Sequence, residues 1–387
     1  MEGKKIAVLT TIVDDWGGSE ELWSRSVPHL LAAGNSITVY KNKFNQNHSS
    51  VKNLTVQKIT LKEIRPSLFI GRRLVRKLSF FWNRLRDPLF FVDEKYYAVQ
   101  NFKKYLFEDK PDLVVISQGI NFDGLQFAYQ CLKLRIPYVI ISHKAVDFYW
   151  PSVQEKGYMR ETLVHALLCF FVSKHNLRLT EEQFGLRLKN SRVIFNPVKI
   201  KRQVIEYPSM DKGVRLACLG RFFLIDKGQD VLIAVLSKQK WRDRPISVTL
   251  FGSGPDLINI EEMIKLYELT NILIKPHDEN IEKIWLDHHA LVLPSRSEGL
   301  PLTIVEAMAV GRMIITTNAG GNAELIEDGI TGFVGEASRQ ALDETLERAW
   351  QNRSEWESMG IKASEFIRQN IPENPEKNFS NILNELL

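Results

Sequence analysis

The chain has 387 residues, of which 44% are hydrophobic and 25% charged, and its net charge is +5. That length exceeds one ordinary domain and makes two the expectation, in a globular chain of ordinary composition. No apolar run reaches the roughly 18 residues of a membrane-spanning helix, and so mild a positive charge suits an anionic ligand or a membrane surface without demanding nucleic acid.

The start, MEGKKIAVLTTIV, has two lysines and a short apolar run. A signal peptide needs a longer core and a small-residue cleavage site, so the run reads as a first buried strand. Strands are expected at 5–12, 36–41, 54–59, 112–117 and 138–142, with helical patterns between most of them, as at 19–33 and 124–134. That rhythm implies a parallel sheet with helices on both faces. Gly17 and Gly18 follow the first strand and open a helix, with Ser19 as the expected N-cap. They read either as a glycine turn or as a place where the backbone approaches a phosphate.

Residues 65–86 hold seven basic side chains (Arg65, Arg72, Arg73, Arg76, Lys77, Arg84, Arg86) and no acid. Apolar residues recur among them at helical spacing, which fits a helix with a solvated basic face or one lying on an anionic membrane. His143 ends the fifth strand and is expected to point into a cleft, as a packed structural residue or as a ligand-lining one. The cysteines Cys131, Cys169 and Cys218 lie far apart in apolar contexts and form no metal spacing. They read as reduced core thiols, which implies a cytosolic setting. Residues 196–209 carry two prolines and little periodicity, and mark a linker.

After the linker the rhythm restarts, with strands at 214–219, 247–251, 272–274, 290–293 and 313–316. Gly220-Arg221 and Lys227-Gly228 follow the first of these. The planar fork of Arg221 and the point charge of Lys227 suit a diphosphate. Gly252-Ser253-Gly254-Pro255 follows the next strand; its glycines either admit a nucleotide or make the turn. It lacks the third glycine and following acid of a dinucleotide fingerprint. Residues 337–387 read as helices.

The most specific string is PSRSEGLPLTIVEAMAVGRMIITTNAGG, residues 294–321. It places Glu298 in the loop at a strand's carboxyl end and Glu306 in a helix expected over 301–310, with seven residues between them. In open parallel sheets that crevice binds ligands, and a helix N-terminus there suits a phosphate. Two carboxylates flanking an anion site accept hydroxyls. A ligand with phosphates in the middle and hydroxyls on both sides, such as a nucleotide sugar, fits the pattern.

This string, with Gly220-Arg221 and Lys227, resembles the signature of the retaining glycosyltransferases of the GT-B fold, most closely glycosyltransferase family 4. The resemblance covers nearly the whole chain but is strong only over 214–333. It implies an α/β protein of two doubly wound, Rossmann-like domains facing a central cleft. Residues 1–200 would form the acceptor side, 201–371 the donor side, and 372–387 a helix crossing back to the first domain. It implies that Glu298 faces the donor sugar, that Gly299, Leu300, Pro301, Leu302 and Thr303 bind sugar hydroxyls and diphosphate, and that Glu306 holds the ribose. Arg221 and Lys227 would grip the phosphates, Gly17, Gly18 and Gly252 would allow close approach, and His143 would meet the sugar by ring or carbonyl. Glu324 would buttress the glutamate loop.

The implied activity is transfer of a sugar from a nucleoside diphosphate sugar, UDP-sugar favoured, to a hydroxyl of a glycan or lipid-linked glycan, with retention. No cofactor and no metal are expected, since the chain has no Asp-x-Asp and the Arg/Lys pair would replace the cation. The expected partners are donor and acceptor, with peripheral membrane contact through 65–86 and no nucleic acid. The alternatives are a non-catalytic nucleotide-sugar binder, or a GT-B epimerase or phosphorylase.

Overall fold

The computed structural model describes residues 3–65, 94–276, 278 and 280–387. The basic segment expected over 65–86 therefore lies outside the described residues, apart from Arg65. Thirteen described strands form two all-parallel sheets. The first holds β1 (Lys5–Thr10), β2 (Ser36–Lys41), β3 (Thr60–Glu63), β4 (Leu113–Gln118), β5 (Tyr138–Ser142), β6 (Leu168–Phe171) and β7 (Ser191–Val193), in the order β3-β2-β1-β4-β5-β6-β7. The second holds β8 (Val214–Leu219), β9 (Ile246–Phe251), β10 (Ile272–Lys275), β11 (Ala290–Leu293), β12 (Met313–Thr317) and β13 (Gly332–Gly335), in the order β10-β9-β8-β11-β12-β13.

These strands read as near-continuous apolar runs because helices cover both sheet faces. β4, β5 and β11 are buried along their whole length. In each sheet the chain reverses its direction of winding at one place, between β1 and β4 in the first and between β8 and β11 in the second. A crevice opens at each switch point, beyond the carboxyl ends of the strands. The loops that leave β1, β8 and β11 carry Gly17, Arg221 and Glu298.

One expected strand is a helix. Residues 54–59 split between the helix Ser49–Val56 and the approach to β3. The His48 ring accepts from the Ser50 N–H at 3.2 Å and caps that helix, while Val51 and Leu54 bury its inner face. Lys58 then takes a positive φ of 59° and turns the chain into β3. β6 and β7 lie outside the expected set.

Residues 196–209 contain no helix or strand. A fully buried arginine organises them: Arg312 donates to the carbonyls of Glu206, Trp285 and His288 at 2.5, 2.8 and 3.0 Å. Its charge is out of water but every face of the guanidinium meets a carbonyl dipole, which offsets part of the desolvation cost. The last helix, Pro375–Glu385, packs against Gly18–Ala32 of the first half. Phe379 is buried edge-on against Phe170 of β6 at 5.3 Å, and Asn35 donates to Asn384 at 2.9 Å. Among the described residues no helix is long and apolar enough to cross a membrane.

Candidate functional site

The helix after β11 runs Leu302–Ala309, and Pro301 precedes it with no side-chain cap. The helix after β1 runs Gly18–Ala32 behind Gly17, also without a side-chain cap. Ser19 is therefore inside the first turn, and its hydroxyl donates to Glu20 Oε2 at 2.8 Å instead of capping. A Cβ on Gly18 would stand 3.3 Å from the Leu302 side chain. The two helix N-termini thus meet across the cleft, and both positive dipole ends face the same space.

At Gly299 the two halves pack backbone against backbone. A Cβ there would lie 1.9 Å from the His143 carbonyl oxygen, so only glycine permits this contact. Behind it, Gly320 (φ +56°) leaves no room for a Cβ against the Glu298 carbonyl, and the Gly321 N–H donates to Gly299 O at 2.8 Å. Gly252 packs on the Gly220 carbonyl, so the loops after β8 and β9 also touch.

Glu298 is buried, and its Oε1 accepts from Lys227 Nζ and from Ser295 Oγ, each at 2.7 Å. Arg296 makes a bidentate pair with Asp230 at 2.7 Å, and the N–H groups of Arg296 and Ser297 donate to the Asp226 carbonyl. These bonds tie the glutamate loop to the helical turn Leu224–Lys227, so Lys227 and Glu298 are held as a unit. Arg221 reaches across the cleft and pairs with Asp14 in the loop after β1 at 2.7 Å, with both side chains about half exposed. Lys144, next to His143, pairs with Asp226 at 2.7 Å.

Glu306 is 4% exposed and accepts one bond, from the Lys199 N–H at 3.4 Å. Burial pushes its carboxyl up to about 7, and the backbone bond from Lys199 only partly opposes this. Lys199 Nζ and Arg25 both pair with Glu21, at 3.1 and 3.0 Å. Across the cleft, Glu20 is fully buried. Burial raises its pKa too, against bonds from the Thr10 and Ser19 hydroxyls.

The His143 ring does not stand open in the cleft. It is 7% exposed, Nε2 lies 3.1 Å from Ser117 Oγ, and Nδ1 is buried without a partner. Burial lowers its pKa to about 3, so the ring is neutral at physiological pH and a poor proton acceptor. Its carbonyl, against Gly299, is the part that borders the cleft. Glu324 caps a helix of the opposite half: its carboxylate accepts the Lys174 and His175 N–H groups at 3.0 and 2.6 Å, at the start of Lys174–Phe184. It acts between the two halves, a wider role than buttressing its own loop. Cys131, Cys169 and Cys218 are buried and free. Among the described residues no three His, Cys, Asp or Glu side chains gather as a metal site.

The structure brings Arg221, Lys227, Glu298, Gly299, Leu302 and Gly18 to one cleft, with Glu306 along the same helix. Sequence reasoning missed Asp14, Lys144, Asp226 and Glu21. Asp14, Lys144 and Asp226 are ordinary charges in their local sequence and gain meaning only from a partner in the other half, while Glu21 gains it from Arg25 on its own helix and Lys199 of the linker. The one available signal was the pair Asp14-Asp15 directly after an apolar strand.

Two parallel sheets with alternating helices, joined by a linker and facing a cleft at their switch points, constitute the GT-B fold. Anabaena HepE in complex with UDP superposes at a TM-score of 0.71, with 16% identity over 98% of this chain and 100% of that one. The apo lipopolysaccharide outer core galactosyltransferase WaaB gives 0.68, with 20% identity over 99% of this chain and 100% of that one. Residues 201–366 match the family model described as glycosyl transferases group 1. An uncharacterised glycosyltransferase of Methanocaldococcus jannaschii is 26% identical over 270 residues, 66% of this chain and 73% of the relative. Lipopolysaccharide 1,6-galactosyltransferase of Salmonella typhimurium is 24% identical over 60% of this chain and 64% of the relative.

Proposed function

We propose that the protein transfers a sugar from a nucleoside diphosphate sugar, a UDP-sugar in first place, to a hydroxyl of a glycan or lipid-linked glycan. One observation carries this reading: two cations, Arg221 and Lys227, and two carboxyls, Glu298 and Glu306, are grouped around the uncapped N-terminus of Leu302–Ala309. Cations and helix N–H groups suit the diphosphate, and the carboxyls suit hydroxyls on either side of it. Several GT-B proteins with structures similar to this chain bind UDP, and HepE also binds UDP-glucose.

In this reading Arg221 and Lys227 stabilise the leaving diphosphate as it gains charge, which lowers the barrier more than it strengthens ground-state binding. They take the place of a metal ion. Glu306 accepts from the ribose hydroxyls. Glu298, with the backbone from Gly299 to Thr303, orients the sugar, and His143 borders it as a neutral residue. The bond from the anomeric carbon to the phosphate oxygen breaks and the pair of electrons stays on that oxygen. The acceptor hydroxyl attacks from the same face and passes its proton to the departing phosphate. No side chain near the acceptor side is assigned as a covalent nucleophile, so retention rests on this front-face path.

The test is a thermal-shift series with UDP, GDP, ADP and their sugar conjugates in the presence of a chelator. A ligand at about 100 times its dissociation constant stabilises the folded protein by roughly 2.7 kcal/mol. One nucleotide is expected to raise Tm in the wild type and to lose that effect in Arg221→Met/Lys227→Met. If none raises Tm, the donor-site reading fails.

A further inference from the structure

A cavity of about 350 Å³ lies in the N-terminal half, between Gly18–Ala32, Ser49–Val56 and Lys199 of the linker. Trp16, Arg25, Ser50, Asn53, Gln57 and Lys199 contribute to its wall. We propose that this cavity is a subsite for a carboxylated sugar unit, an acidic residue of the acceptor glycan. The inference rests on the proposed function for its place in the reaction, and on the cavity alone for its chemistry.

Gly18–Ala32 begins in the cleft, against Leu302, and its next turns present Glu21 and Arg25 to the cavity. Lys199, on the opposite wall, donates its N–H to Glu306. The cavity therefore shares a wall with the group assigned to the donor's ribose, but on the acceptor half. Trp16 belongs to the loop that also carries Asp14, the partner of Arg221.

Two cations, Arg25 and Lys199, share the single buried carboxylate of Glu21. Their side chains stay 37% and 52% exposed, so both can meet a ligand as well. One of the two positive charges is left over, and a concave wall with a surplus cation favours an anion. Glu306 lies behind the Lys199 backbone, and its raised pKa of about 7 leaves it partly neutral at physiological pH.

The hydrogen-bonding groups call for hydroxyls. Gln57 Oε1 is buried without a partner, which is costly unless a donor reaches it. Asn53 and Ser50 add amide and hydroxyl groups beside it. The Trp16 ring is fixed from behind, stacked on His48 at 5.7 Å with 15° between planes, and its Nε1 donates to Glu21 Oε1 at 3.2 Å. A rigid aromatic wall, two amide side chains and one surplus cation match a ring that carries hydroxyls and one carboxylate. The volume is in the range of small-ligand sites.

The test is an NMR titration of the full chain with glucuronate, glucose and inorganic phosphate, with UDP titrated separately. Glucuronate is expected to bind about tenfold tighter than glucose, the value of one charge-assisted bond. Arg25→Gln should bring glucuronate down to the level of glucose, and Gln57→Leu should weaken both sugars. Equal binding of glucuronate and glucose, or glucuronate binding unchanged in Arg25→Gln, overturns the proposal. Phosphate binding as tightly as glucuronate, with Gln57→Leu silent, also overturns it and leaves a simple anion site. UDP binding reports on the donor site alone, so its loss in the wild type sinks the donor reading without touching the comparison of the two sugars.

Discussion

The buried Glu306 makes a prediction about pH that can be worked from the structure. Its carboxyl titrates near 7 in the folded chain because burial disfavours the charged form, against an ordinary value of 4.5. Below pH 4.5 it is protonated in both folded and unfolded chains and costs nothing. Between 4.5 and 7 the unfolded chain releases the proton and the folded chain keeps it, so stability falls as pH rises. Above 7 the loss is complete, at roughly 3 kcal/mol for a gap of about 2.5 in pKa. Glu306→Gln keeps an oxygen to accept the Lys199 N–H and removes the titration. The variant should therefore gain on the wild type by roughly 2–3 kcal/mol between pH 5 and 8, or about 5–10 °C in Tm for a unit of this size. Thermal melts of both proteins across that range are the assay. A difference in Tm that does not change with pH would show that Glu306 is not held neutral by burial. The donor gives a second readout: an ionised Glu306 is the better acceptor for ribose hydroxyls, so UDP affinity should rise through pH 7 in the wild type. Glu306→Gln supplies the baseline, because it retains the titration of UDP itself.

Gly299→Ala would place a Cβ within bonding distance of the His143 carbonyl, so the halves must part. Small-angle scattering should show a wider cleft, and UDP should no longer raise Tm; an unchanged profile would refute the close contact. Glu324→Ala leaves the Lys174 and His175 N–H groups without their acceptor and should cost about 1–2 kcal/mol, read as a drop of roughly 2–8 °C in Tm. Phe379→Ala empties a fully buried site under the last helix and should cost about 3–5 kcal/mol by urea melt. A loss under 1 kcal/mol would mean that the last helix is not held where it packs.

Much of this architecture is visible in local sequence because parallel strands buried on both faces announce themselves as apolar runs. β2, β5, β8 and β11 run over the spans that pattern sets. The failures have physical causes. Residues 54–59 alternate like a strand, but a histidine cap and the Val51/Leu54 spacing settle the helix. β6 lies in an apolar run that follows the helix Val153–His165 directly and is not set off from it by a turn signal, and β7 has only three residues, too few for a period to register. Arg312 follows Gly311 in what reads as a solvent-facing turn, yet the linker folds over it and buries it. In the cleft, Glu298, Glu306, Arg221 and Lys227 are marked by their places at strand ends. Their partners Asp14 and Asp226, and the depth at which His143 sits, depend on how the two halves meet, which no window along the chain records.

The pairing of Arg221 with Asp14, and of Lys227 with Glu298, means that both cations at the mouth of the cleft already carry counter-ions of the protein's own making. A diphosphate arriving there exchanges one anion for another instead of meeting bare charge. Its measured affinity is then the net of that exchange, and weaker than two free cations would give. The exchange also has a directional effect. The carboxylate released from Arg221 belongs to the opposite half, in the loop whose Trp16 walls the acceptor-side cavity. A ligand that draws Arg221 away would leave Asp14, on the other side of the cleft, without its ion pair.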